Sequence, residues 1–282
     1  MSPHRLFKTW AAVAHAARHN LSAVEIEIGE HMILHGIDFS GASSGGAAKI
    51  RVVERDLLKR HDPIRYKGRM DRNSLLRHIL ECAKDGQPHM FRIDAPFGLA
   101  LESLRQFDVA PTWSGMVTWM ESFKDPRLWR TAIRKVSRQE PKRVCDQIFR
   151  TPMAPMNLRI FKQTWTLIAE VLKPLADAGI RIEPVHSGHA KNQVTVCEGC
   201  PASILKFSGM PDHGYKGAGI PPRQLRERLV RTLDQEHLRI PDRMGQEAID
   251  DEEGDLLDAI ILLTEPLQWI PPATATIEGW IY

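Results

Sequence analysis

The chain has 282 residues, enough for one large domain or two small ones. A hydrophobic share of 43% and a charged share of 26% fit an ordinary globular protein and exclude a disordered or fibrous one. The net charge of +3 does not by itself argue for nucleic acid. No apolar run reaches the ~18 residues of a membrane span, and four cysteines in a chain this long are no disulfide scaffold, which fits a reduced, cytoplasmic setting.

Residues 1–31 read as an extension preceding a domain at 32–282. The first ~20 residues are basic and alanine-rich, loosely like a transit peptide. Leu6, Trp10, Val13 and Ala17 at helical spacing favour a peripheral amphipathic helix instead. The apolar run MILHGIDF reads as a buried strand ending near Asp38. A glycine- and serine-rich turn follows, with Ser40, Ser43 and Ser44 able to donate to a phosphate or simply to solvate the turn. AAKIRVVERDLL then reads as the second strand of a hairpin. DRNSLLRHILECAKDG predicts a helix capped by Asp71 and stopped by Gly86. HMFRIDAPFG predicts a strand that ends in Asp94, with Pro96 and Gly98 breaking the pairing.

Residues 99–155 read as a tryptophan-rich helical insertion with irregular connections. Between Lys124 and Lys162 the many basic residues are opposed only by Asp125, Glu140 and Asp146. That run is either a phosphate-facing surface or a solvated helix face. Arg143 and Asp146 are spaced to pair, or to offer a guanidinium to phosphate. LRIFKQTWTLIAEVLKPLADAG predicts a helix, IRIEPVH and QVTVCEG two strands, PPRQLRERLVRTLDQEHL a helix opened by prolines, and GDLLDAIILLTEPL the last helix. Cys197 and Cys200 have no second pair, so a four-ligand zinc site is not supported there. His186 and His189 sit in a loop without further partners.

Three predicted strands end in an acid followed at once by a breaker: Asp38, Asp94 and Glu198. Acids are poor strand residues, and a buried unpaired carboxylate is costly. Each alone reads equally as turn chemistry. Their recurrence suggests a shared site at one sheet edge, where a divalent cation would relieve the mutual repulsion. Asp255 and Asp258, at i and i+3 in the first turn of an apolar helix, can add ligands, although Asp255 could instead cap that helix. The expected metal ligands are therefore Asp38, Asp94, Glu198, Asp255 and Asp258, holding Mg²⁺ or Mn²⁺. Lys216, on the loop HGYKGAG, can reach a scissile phosphate or be an ordinary surface lysine.

Together GIDFSGA, RIDAPFG, RVCD, EGCPASIL, YKG, DLLDAI and the terminal EGWI resemble domain-of-unknown-function family 429, in order from about Ile33 to Ile281. That family is regarded as predicted nucleases of the ribonuclease H-like fold. The start of the DLLDA helix is also similar to that of Holliday-junction resolvases of the same superfamily. The resemblance implies an α/β fold, a mixed five-stranded sheet flanked by helices. It also implies a metal-dependent nuclease acting on DNA or RNA, with Asp38 at its centre, Asp94, Glu198 and Asp258 around it, and Asp255 auxiliary. Two other readings remain. DFSGASSGG resembles the phosphate-gripping hairpin of sugar kinases and actin-type ATPases, although IDAPFG, the nearest equivalent of their second glycine-rich aspartate loop, lacks the glycine and hydroxyl spacing. A non-catalytic module of the same fold would instead bind single strands through the basic, tryptophan-bearing insertion.

Overall fold

The computed structural model describes residues 32–42, 48–59, 61–264, 266–267 and 269–282. The expected helix in residues 1–31 and the turn serines Ser43 and Ser44 lie outside them. The strands are β1 (Ile33–Asp38), β2 (Ile50–Asp56), β3 (Arg65–Met70), β4 (His89–Asp94), β5 (Arg181–Glu183) and β6 (Val194–Gly199). They form one mixed sheet in the order β3-β2-β1-β4-β6-β5. β1, β2 and β3 are antiparallel neighbours, whereas β4, β6 and β5 run parallel with β1. This topology is consistent with a ribonuclease H-like sheet.

The sheet has six strands where five were expected. The additional one is β3, RYKGRM, an edge strand in which half-buried and exposed positions alternate. Its polar sequence carries little of the hydrophobic alternation that marks a half-buried strand.

The helices are α1 (Arg72–Cys82), α2 (Leu101–Gln106), α3 (Trp113–Glu121), α4 (Pro126–Val136), α5 (Val144–Ile148), α6 (Phe161–Leu167), α7 (Lys173–Asp177), α8 (Pro201–Phe207), α9 (Ile220–Leu233), α10 (Asp242–Asp250), α11 (Asp255–Ile261) and α12 (Ala275–Glu278). A π-helical turn, Ile168–Leu172, joins α6 to α7. Asp71 caps α1 as expected, its carboxylate accepting from the Ser74 N–H at 2.7 Å. Prolines open α9 as expected. No helix among the described residues is long and apolar enough to cross a membrane.

Side chains alternate across a strand, so each sheet face buries its own core. Ile37, Ile93, Val194 and Val196 pack on one face with residues from α1, α3, α4 and α6. Leu34, Met90 and Cys197 pack on the other with residues from α8 to α11. The tryptophans of the 99–155 stretch belong to the first core. Trp113 and Trp129 are buried, and Trp119 packs partly buried against them. Burying these large rings packs α3 and α4 into that core.

Candidate metal centre

Because β1, β4 and β6 are parallel, their C-terminal ends emerge at one edge of the sheet. Asp38 and Asp94 end β1 and β4 directly opposite each other. They share a face with Leu34, Gly36 and Arg92, the face covered by α11. Gly36 lets that helix approach. A Cβ at Gly36 would stand 2.1 Å from the Ala259 carbonyl oxygen. Arg92, fully buried on the same face, donates to the carbonyls of Leu262, Thr264 and Tyr282, tying the end of α11 and the C-terminus to the sheet. Asp258 is thereby carried to the strand ends. One carboxylate oxygen each from Asp38, Asp94 and Asp258 lies within 4.8 Å of the other two.

Burial and mutual repulsion load these carboxylates. Desolvation, then the charges of Asp258, Asp255 and Asp94, hold the Asp38 carboxyl well above the usual range. Burial and then Asp258 push Asp94 up to about 8. Lys216 offsets part of this. Its Nζ lies 2.5 Å from Asp258 Oδ2, and its ammonium is held protonated by Asp258 and Asp38 against the cost of burial. The Tyr215 hydroxyl donates to Asp258 Oδ1 at 2.7 Å. Lys216 thus reaches from an exposed loop into the acidic cluster.

Asp255 sits half-buried beside this group but outside the three converging oxygens. Burial, and next the Asp251 charge, raise its carboxyl to about 6. It is not the helix cap. Gly254 occupies that position in a left-handed conformation, and Asp251 Oδ2 accepts from the Leu256 N–H at 3.0 Å.

Glu198 requires a correction. In the β4–β6 register it lies beside Ile93, and Gly199 stands opposite Asp94. Its side chain therefore starts from the opposite face of the sheet. Its carboxylate is occupied by Arg143, Nη2 to Oε1 at 2.6 Å and Nη1 to Oε2 at 2.7 Å, and by the Phe97 N–H at 2.9 Å. Arg143 also binds Asp146 through Nε and Nη2, at 3.0 and 2.8 Å. All three side chains are buried. RVCD therefore builds an internal ion-pair triad, and its guanidinium is not offered to phosphate.

Sequence reading passed over several contributors. Gln163, on α6, donates through Nε2 to the carbonyls of Phe39 and Asp94, pinning α6 across both strand ends. The Gly41 backbone packs against Lys162 and Gln163 so closely that a Cβ there would stand 2.3 Å from the Gln163 nitrogen. Gly36 and Tyr215 complete the positioning set. Ser40 accepts from the Ala42 N–H at 3.3 Å. Cys197 and Cys200 are free thiols, and His189 packs its ring over Gly179.

The donor set fits a hard divalent cation. Oxygens around Mg²⁺ at ~2.1 Å from the ion are about 3–4 Å apart, within small side-chain rotations of this arrangement. Buried carboxylates with raised affinity for protons are those that gain most from a cation. No protein-family model, no curated protein and no solved structure matches this chain.

Proposed function

We propose that the protein is a Mg²⁺- or Mn²⁺-dependent nuclease of the ribonuclease H-like type, in keeping with the predicted nucleases of domain-of-unknown-function family 429 that its motifs resemble. The observation that carries this reading is the convergence of Asp38, Asp94 and Asp258 at the ends of two adjacent parallel strands and one helix. Asp38, Asp94 and Asp258 would hold the ion, with Asp255 alongside. When bound, a divalent ion supplies the Lewis acidity that makes water a nucleophile near neutral pH and offsets charge on a leaving phosphodiester oxygen.

The chain's own residues do the remaining work. Tyr215 and Lys216 fix the orientation of Asp258. Lys216, half-exposed beside Asp258, would meet a phosphate approaching the acids. Gln163 holds the strand ends in register with α6. The exposed Arg159 and half-buried Lys162 precede it on the same segment and give the approach a positive charge. Elsewhere in the basic stretch several charges are used internally: Arg130 and Arg134 pair with Glu140, and Lys142 donates to the Thr151 carbonyl at 2.5 Å. The nucleic-acid-facing charge is therefore smaller than the composition of that stretch suggests.

The test is a Mg²⁺-dependent cleavage assay on single-stranded, duplex and branched DNA and RNA. Cleavage lost in Asp38→Asn and Asp258→Asn, with the fold intact by circular dichroism, supports the proposal. A folded wild-type chain that cuts none of these substrates with Mg²⁺ or Mn²⁺ counts against it.

A further inference from the structure

The opposite face of the same sheet carries a second group of ligating side chains, of different chemistry. His35 on β1 and His89 on β4 lie on one face, His89 opposite Ile33 and two positions along from His35 in the register. Both are buried. His35 Nε2 and His89 Nδ1 are 2.9 Å apart. α1 packs over them and supplies Cys82, and ligand atoms of His35, Cys82 and His89 all lie within 4.8 Å of one another. His78, one helical turn before Cys82 and on the same helix face, places Nδ1 4.0 Å from the Cys82 sulfur.

The outer ring nitrogen of His89 is turned to a carboxylate as in a metal centre, while that of His35 faces a carboxylate beyond hydrogen-bond distance. His89 Nε2 lies 3.0 Å from Asp85 Oδ2, and His35 Nδ1 lies 3.8 Å from Glu54 Oε2. A metal-bound imidazole almost always turns its other nitrogen to a carboxylate or carbonyl, which fixes the tautomer and raises ligand basicity. Glu54 is itself held by Arg65 at 2.7 Å and Lys67 at 3.4 Å. His35 Nδ1 and His78 Nε2, the ring nitrogens turned away from this group, are buried atoms with no hydrogen-bond partner, and His35 stacks on Phe91 with ring centroids 4.0 Å apart.

We propose that His35, His89 and Cys82, with His78 as the fourth ligand, bind a single Zn²⁺ that staples α1 to strands β1 and β4. Three imidazole nitrogens and one thiolate give zinc the four nitrogen and sulfur donors of a closed tetrahedral site. The metal would displace the direct His35–His89 contact, and the Cys82 thiol proton leaves to solvent on binding. Cys82 and His78 are half-buried, so the metal reaches the group past the C-terminal end of α1. The site does not depend on the carboxylate centre, which uses oxygen ligands on the other face.

The test uses the full chain, stripped with chelator and then titrated with Zn²⁺, or with Co²⁺ as an optical probe. The expected result is a thiolate-to-cobalt charge-transfer band that saturates at one thiolate-bound Co²⁺ per chain and is displaced by Zn²⁺. Cys82→Ser removes that band, and His89→Gln weakens binding at least tenfold. Asp38→Asn leaves the band in place. Zinc-edge X-ray absorption on the wild-type chain reads the ligands without any variant, and one sulfur with nitrogen neighbours is expected. A folded wild-type chain that retains no zinc, an all-oxygen shell, or a cobalt band that survives Cys82→Ser overturns the proposal.

Discussion

Gly36 lies directly beneath the backbone of Ala259, so close that even a methyl group would stand 2.1 Å from its carbonyl oxygen. The contact sets how near α11 comes to β1, and Asp258 is one residue from it. Gly36→Ala therefore changes no acid yet moves the helix that carries one. Forcing a methyl into a packed contact costs about 1–3 kcal/mol. The expected outcome is a lower melting temperature together with a fall in divalent-metal affinity of about tenfold or more, because ligands displaced from the closing geometry lose most of their binding. Isothermal titration with Mn²⁺ beside thermal melting checks both. A variant that loses stability but binds Mn²⁺ normally would show that the helix approach is unimportant to the site.

Asp94 gives a pH prediction. In the metal-free chain burial and the Asp258 charge place its carboxyl at about 8, against about 3.9 in an unfolded chain. The folded chain then holds a proton that the unfolded chain has lost. This contribution is fully present below pH ~4 and disappears as the pH rises through about 8. Metal-free Asp94→Asn should therefore melt near the wild type at pH 4 and above it at pH 8, by about 2 °C for each kcal/mol recovered. Added Mg²⁺ at pH 8 should raise the wild-type melting temperature and leave the variant unmoved. Parallel melting curves in chelator and in Mg²⁺ across this range decide it.

Glu198 and Arg143 separate acids held in an internal ion pair from those proposed to hold metal. Removing Arg143 leaves Glu198 and Asp146 buried without their cation. Arg143→Ala should cost about 3–5 kcal/mol, as expected for breaking a buried ion pair. Glu198→Gln should destabilise the fold yet leave Mn²⁺ affinity within about twofold of wild type (a difference below ~0.5 kcal/mol). Chemical denaturation and metal titration read the two effects independently.

Lys216 is a cation already lodged against Asp258. Lys216→Met removes a competitor for the carboxylates, so divalent-metal affinity should rise, on the order of tenfold for ~1.4 kcal/mol. Cleavage should fall all the same, because the ammonium that would meet the phosphate is gone. A variant with weaker metal binding and unchanged cleavage would contradict this role.

Much of this centre was legible in the sequence, for physical reasons. Asp38 and Asp94 stand out because an acid at the end of an apolar strand, followed by a breaker, is unfavourable without compensation. Asp258 stands out because helical spacing places it beside Asp255 on an otherwise apolar helix. Glu198 looked equivalent to these but is not. Strand alternation has period two, and only the β4–β6 register shows that Gly199, rather than Glu198, is level with Asp94. β3 was missed because an edge strand of polar residues leaves little periodic signal. The insertion tryptophans, open in the sequence to a core role or to single-strand binding, are core, since composition does not say which face of a short helix is covered. His35, His78, Cys82 and His89 form no motif in sequence, because two strands and a helix bring them together.

The central claim, that Asp38, Asp94 and Asp258 form one divalent-cation site, is tested most directly by Mn²⁺ titration of the wild-type chain and its three Asp→Asn variants, followed by electron paramagnetic resonance. The expected result is stoichiometric Mn²⁺ binding by the wild type that each of the three substitutions abolishes, with Glu198→Gln still binding. A folded wild-type chain that leaves Mn²⁺ free in solution, or three variants that bind it as the wild type does, would contradict the claim.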